Sequence, residues 1–229
     1  MDKFEEFVRE LTTEINGQYP RPWMTDMKDP SKAKVFVVGY NPASAYSTGK
    51  IDYERYIDSL LNRNGEDCRS FYREVTHTSP TRGNIEMFTD KLRSHGVSEI
   101  IETNVVCYGT GKKKYLSLPE NYGGKERGIE IFRALLDEIR PRAVVVHGAG
   151  VVKEVNRALV LKPALPGPPK TPSEFVQCEM AKGVQIFVIP SLALPGYQNW
   201  PSSPYQSFCN WADEYLNEIS RKVASTCSA

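Results

Sequence analysis

The sequence predicts an α/β protein, a three-layer sandwich with a central four-stranded, mainly parallel sheet and helices on both faces. Three observations predict it. Four short, continuous β-branched runs, KVFVVG, SEIIETNVVCYG, RPRAVVVHG and VQIFVIP, read as strands buried on both faces. Between them lie segments whose apolar residues recur at three- and four-residue spacing. Strands that alternate with helices in this way build a parallel sheet joined by right-handed crossovers.

The elements follow in order. Phe4, Phe7, Val8, Leu11 and Ile15 share one helical face, and Gly17 ends that first helix. The proline-rich YPRPWMTDMKDPSK follows as irregular chain, and KVFVVG is the first strand. Residues 51–62 and 84–95 read as helices, the second with Ile85, Phe88 and Leu92 on one face. The second strand leads into a basic loop, GTGKKKYL. A helix over 126–139 carries Ile129, Ile131, Phe132, Leu135, Leu136 and Ile139. The third strand precedes a helix over 150–160. KPALPGPPKTP holds too many prolines for regular structure and reads as an exposed loop. The fourth strand and a helix over 204–223 complete the chain. With no repeat and no clear linker, residues 1–229 are expected to form a single domain.

Of the 229 residues, 40% are hydrophobic and 25% charged, which excludes a disordered or low-complexity chain. No run of eighteen apolar residues exists, so no membrane partner is expected. The opening MDKFEEFVRE is charged and amphipathic, unlike a signal peptide. Cys68, Cys107, Cys178, Cys209 and Cys227 are scattered without a CxxC pair, so neither a metal cluster nor a disulfide framework is expected. A cytoplasmic monomer is the expectation. Lys plus Arg is 29 and Asp plus Glu is 28, so any basic surface has to be local. His77 and His95 lack carboxylate or cysteine partners at metal-ligand spacing. No GxSxG elbow or P-loop is present, and the lone GAG after His147 lacks dinucleotide-binding spacing, so no cofactor is expected.

In open parallel sheets, ligands bind outside the carboxyl ends of the strands. After strand one comes GYNPASAY, where Gly39 permits a close backbone approach and Pro42 stiffens the turn that holds Asn41. An ordinary Asn-Pro turn is the plain alternative. Strand two carries Thr103-Asn104 inside an apolar run, so Asn104 is either a satisfied structural amide or a reader of a matching donor–acceptor edge. Strand three ends in His147-Gly148-Ala149-Gly150, which packs or presents N–H groups to an anion. Strand four ends in PSLALPGY, whose leucines are a wedge into a partner or pack underneath.

Taken together, these four strand ends resemble, in order and spacing, the uracil-DNA glycosylase superfamily. VFVVGYNPAS is similar to its first motif in the G-x-N-P form of the mismatch-specific and single-strand-selective branches. ETNVVCY is similar to the strand that carries its base-reading Asn. IRPRAVVVHG resembles the third-strand signature and VIPSLALPGY the last motif, with Ile189 where many members have His. The likeness covers about residues 30–200. It implies that Asn41 orients the water attacking the deoxyribose anomeric carbon. It implies that Asn104 reads a flipped base, with Gly39 and one of Tyr40, Tyr46, Phe71 and Tyr72 beside that base. Ser191 would hold a phosphate, Leu192 or Leu194 would fill the gap in the duplex, and Lys112, Lys113 and Lys114 would contact the backbone or form a solvated charge run.

The leading expectation is therefore a DNA glycosylase that removes uracil or a related deaminated base, with damaged DNA as partner. Two alternatives stand beside it. One is a silent relative that only binds nucleic acid; the other is an enzyme of small nucleosides or nucleotides.

Overall fold

The computed structural model describes residues 2–76, 80–169, 174–180, 183–193 and 205–228, and of these the side chains of all but residues 80 and 205–213. The helices are α1 (Lys3–Leu11), α2 (Tyr53–Leu60), α3 (Cys68–Val75), α4 (Pro80–Ser94), α5 (Gly124–Ile139), α6 (Ala149–Leu159) and α7 (Tyr205–Ser228). The strands are β1 (Gln18–Tyr19), β2 (Val35–Gly39), β3 (Tyr46–Ser47), β4 (Ile100–Asn104), β5 (Ala143–His147), β6 (Val176–Glu179) and β7 (Gln185–Ile189). A five-stranded sheet runs β4-β2-β5-β7-β6, and β1 pairs with β3 separately.

The sheet is mixed. β5 and β7 are parallel, with Ala143 opposite Gln185 and His147 opposite Ile189. Lys34 and Val35 donate to the Glu99 carbonyl, and Arg142 and Ala143 donate to the Lys34 carbonyl. These bonds pair the start of β2 with the starts of β4 and β5, so those strands are parallel as well. The expectation of four strands is corrected by β6, which runs antiparallel to β7 at the edge. Its residues VQCE alternate half-buried and exposed, so it lacks the continuous apolar run that marks a strand covered on both faces.

Several boundaries also differ from expectation. The first helix stops at Leu11, where the Thr12 hydroxyl donates to the Val8 carbonyl. Strand two stops at Asn104, and Val105 to Tyr108 continue as fully buried irregular chain. The helix α3 was unread because its apolar face is short; Asp67 caps it by accepting from Arg69 and Ser70 N–H. The proline-rich loop is partly anchored, since Leu165 is buried and exchanges two hydrogen bonds with the Asn156 side chain.

By backbone packing the chain divides into two compact units, Met1–Ala33 with Val38–His77 and Ile101–Arg140, and Lys34–Val37 with Thr78–Ile100 and Pro141–Ala229. In the second, Val35 and Val37 of β2, Val145 of β5, and Phe187 and Ile189 of β7 form one core with Phe88, Leu92, Leu216, Ile219 and Val223 of α4 and α7. Their strand neighbours Phe36, Val144, Val146, Ile186 and Val188 point the other way and are buried too. Both faces being apolar is why these strands read as unbroken hydrophobic runs.

In the first unit the outer edge of β4 is covered by the proline-rich segment. Met24 and Glu102 exchange two backbone hydrogen bonds, and the Thr103 hydroxyl donates to the Pro22 carbonyl at 2.5 Å. An edge that would otherwise pair with another chain is thereby closed. Tyr46, Tyr56 and Phe71 fill the interior beside it, with ring centroids 5.2–5.7 Å apart.

Gly109 sits where a Cβ would lie 2.6 Å from the Ser44 carbonyl oxygen and 2.9 Å from the Ala45 Cα. Backbone gives way less readily than a flexible side chain. Gly109→Ala is expected to destabilise by about 2 kcal/mol. Gly111→Ala, whose Cβ would meet only the Tyr115 ring edge at 3.9 Å, is expected to be near neutral. Urea unfolding of the two variants checks the contrast.

Candidate functional site

The chain leaving β2 and the chain leaving β4 are joined by three main-chain hydrogen bonds. Val105 donates to Gly39 O, Val106 to Tyr40 O and Thr110 to Pro42 O, at 2.9–3.0 Å. The close approach depends on Gly109, and behind it Gly128 of α5 accepts from Cys107 N–H with no room for a side chain. Asn41 and Asn104 thus stand at the carboxyl ends of neighbouring strands.

Asn41 is half-buried, and its amide orientation is determined by Thr110. The Thr110 hydroxyl donates to the Lys112 carbonyl, which leaves its oxygen to accept from Asn41 Nδ2 at 2.9 Å. Nδ2 also lies 3.2 Å from the Pro42 carbonyl. With the nitrogen held by these acceptors, Oδ1 is the group left to accept from a water or ligand. Thr110 was missed in the sequence. The available signal was the loop GTGKKKYL, which places a hydroxyl just beyond the second strand.

Asn104 is half-buried rather than enclosed. Its backbone carbonyl accepts from the Cys107 thiol, while its side-chain amide has no protein partner among the described residues. A donor and an acceptor on one rigid strand end are therefore available to a ligand. Cys107 and Cys68 are no nucleophiles, since burial pushes both thiols up to about 12.

The four candidate aromatics separate. Tyr46 and Phe71 are 4% and 2% exposed, and the cavity beside them holds about 10 Å³, room for one water and not for a base. They are core residues because their rings pack on Tyr56 and on the guanidinium groups of Arg21 and Arg55. Tyr72 is half-buried with Arg21 5.0 Å from its ring centre. Tyr40 is half-buried and opens onto a cavity of about 1100 Å³ lined by Lys113, Lys114, Leu118, Tyr122 and Lys125 among others. Lys113 Nζ lies 3.9 Å from the Tyr40 ring centre. Lys112, Lys113 and Lys114 are all exposed.

In the second unit, Ser191 is partly exposed, and its Cβ lies 3.1 Å from where a Gly148 side chain would begin. Gly148 takes φ 92° and starts α6 without a side-chain cap. Leu192 is not a wedge. It is fully buried against the α4 and α7 core, and Asn84 Nδ2 donates to its carbonyl. Of the two readings of the leucines, packing underneath holds for Leu192; Leu194 lies outside the described residues, as does His77.

His147 closes β5 opposite Ile189, and its Nδ1 accepts from Leu192 N–H at 3.4 Å. Nε2 therefore carries the proton in the neutral ring, and it is buried without a hydrogen-bond partner among the described residues. Burial pushes the pKa down from 6.5 to about 4. The unfolded chain binds this proton near pH 6.5 and the folded chain does not until about pH 4, so stability is complete above 6.5 and declines as pH falls through that window. A loss of about 2 to 3 kcal/mol is expected between about pH 7 and about pH 4.5. His147→Gln retains an acceptor and is expected to lose less stability across the same interval, measured by urea midpoints. Parallel curves for the two proteins would contradict this.

Among the described residues, no helix is long and apolar enough to cross a membrane, and no group of three His, Cys, Asp or Glu side chains is placed to hold a metal ion. No family model and no curated protein matches the chain.

Proposed function

We propose that the protein is a DNA glycosylase of the uracil-DNA glycosylase type, hydrolysing the N-glycosidic bond of uracil or a related deaminated base. The observation that carries this reading is the Asn41 amide, held nitrogen-first by Thr110 with its carbonyl oxygen left to orient a water. In the reaction the water oxygen bonds to the anomeric carbon as the bond to the base nitrogen breaks. The electron pair leaves with the base, and the water proton passes to solvent. A departing base anion and an oxocarbenium-like sugar place modest demands on acid–base groups, so positioning and electrostatics do most of the work. An amide aligns a water without fully accepting its proton, and slow turnover is expected.

Asn104 supplies the discrimination. Its carbonyl accepts from uracil N3–H while its amide donates to O4, and cytosine presents the opposite pattern. Tyr72 remains as the aromatic to flank the base, while Tyr40 faces the neighbouring cavity. Ser191 and the N–H groups at the start of α6 suit a phosphate.

A second reading, nucleic-acid binding without cleavage, is favoured by Ile189. It is fully buried and apolar where many members of that superfamily have a histidine, and its side chain offers no hydrogen bond.

The test is incubation with oligonucleotides carrying uracil, single-stranded or opposite guanine or adenine, followed by alkali to reveal abasic sites. Asn41→Ala and Asn104→Ala are each expected to lower the rate by about 10²-fold or more, with the fold intact. Thr110→Val, which removes the anchor of the Asn41 amide, is expected to lower it about tenfold. Full activity in both asparagine variants would sink the assignment. Absence of cleavage at high protein concentration would favour the binding reading.

A further inference from the structure

The cavity beside Tyr40 is larger than a single base requires. Its volume of about 1100 Å³ lies just above the range for small-ligand sites, about 300–1,000 Å³. Its wall is rigid. The Tyr108 hydroxyl donates to Asn121 Oδ1 and accepts from Asn16 Nδ2, while Asn121 Nδ2 donates to the Tyr115 carbonyl. Asn16 Nδ2 also donates to the Tyr122 carbonyl, and Tyr122 N–H donates to Pro119 O. The backbone of Tyr122 is thus pinned on both sides, yet its side chain is open: the residue is 86% exposed. A large aromatic held in water on a braced loop, at the rim of a cavity, is a preformed contact surface.

The charge around it is predominantly positive. Lys113, Lys114 and Lys125 line the cavity against one carboxylate, Glu126. Lysine is depleted at the cores of protein–protein interfaces, which argues against a protein partner. Aromatic faces interleaved with ammonium groups suit bases interleaved with phosphates. Bases within a duplex already stack on each other, so only an unpaired strand can offer its faces to Tyr40 and Tyr122. A mononucleotide offers one base to two rings.

We propose that this cavity binds a single-stranded DNA segment flanking the target nucleotide. Unpaired bases stack on Tyr40 and Tyr122, and phosphates pair with Lys113, Lys114 and Lys125. The choice of DNA rests on the glycosylase reading, and it makes uracil in single-stranded DNA the preferred substrate. The cavity begins one residue from Asn41, so a strand lying in it would continue directly into the candidate site.

The experiment is fluorescence anisotropy with a labelled, uracil-free twelve-nucleotide strand, which separates binding from base release. The strand is expected to bind at least about tenfold more tightly than the same sequence as a duplex. Tyr122→Ala, an exposed position that leaves the core untouched, is expected to weaken strand binding about tenfold. Lys114→Glu and Lys125→Glu are each expected to reduce the slope of log affinity against log salt by about 0.7, and Lys3→Glu, on α1 outside the cavity, by nothing. Equal binding of strand and duplex, or a Tyr122→Ala variant that behaves as Lys3→Glu does, would overturn the proposal. Displacement of the strand by an equal concentration of thymidine monophosphate would also overturn it, in favour of a free nucleotide. Strand binding with these variant effects but without base release from a uracil strand would uphold the groove and remove the glycosylase reading. Base release without these effects would do the reverse.

Discussion

Main-chain hydrogen bonds between the segments that follow β2 and β4 hold the first unit's chemistry in place. Once a strand leaves its sheet, its N–H and C=O groups need new partners, and here the two departing chains supply them to each other: Val105 to Gly39, Val106 to Tyr40, Thr110 to Pro42. The approach is possible because Gly109 has no side chain to strike Ser44. From that contact follows the position of Thr110, from Thr110 the orientation of the Asn41 amide, and from Lys112, whose carbonyl accepts a hydrogen bond from the Thr110 hydroxyl, the start of the basic turn beside Tyr40. A polar side chain that accepts from one neighbour and donates to another transmits orientation, as the hydroxyls of Thr110 and Tyr108 do. Thr110 aligns Asn41, and Tyr108 braces the loop that carries Tyr122.

The second unit is organised by burial. β5 and β7 lie between two apolar layers, and at the end of β5 the run AVVVH places an imidazole in surroundings that suit valine. The ring stays neutral because burial disfavours its charged form, and it accepts one N–H from Leu192. The same constraint explains Leu192. A loop that turns back over α4 and α7 buries the leucine it carries, and the Asn84 amide then satisfies the carbonyl exposed by that turn.

Much of the fold was legible in the sequence because burial on both faces leaves an unmistakable signature. KVFVVG, AVVVHG and VQIFVIP read as strands covered on both faces, and their order with the helices implies a parallel sheet. β6 escaped because an edge strand with one half-covered face alternates weakly, and α3 because eight residues offer few turns of periodicity. Asn41 and Asn104 were legible as candidates because ligands of open parallel sheets bind at the carboxyl ends of the strands, although an Asn-Pro turn and a structural amide were equally plain readings of the same residues.

What the sequence by itself determined was the strands covered on both faces, their succession along the chain with the longer helices, and the polar residues at their ends, since each depends on local pattern and hydrophobicity. What only tertiary structure decided was which of those residues face a ligand. Phe71 and Tyr46 look no different from Tyr40 in the chain, yet they pack into a core with room for one water while Tyr40 opens onto a cavity. Leu192 reads either as a wedge into a partner or as packing underneath, and only its neighbours in the fold decide for burial. Thr110 carries no motif, and its role exists only because residues 41 and 110, far apart in sequence, meet through a glycine that lets two backbones touch. Exposure and hydrogen-bond partnership are properties of neighbours, and neighbours across long loops are not encoded in any local pattern.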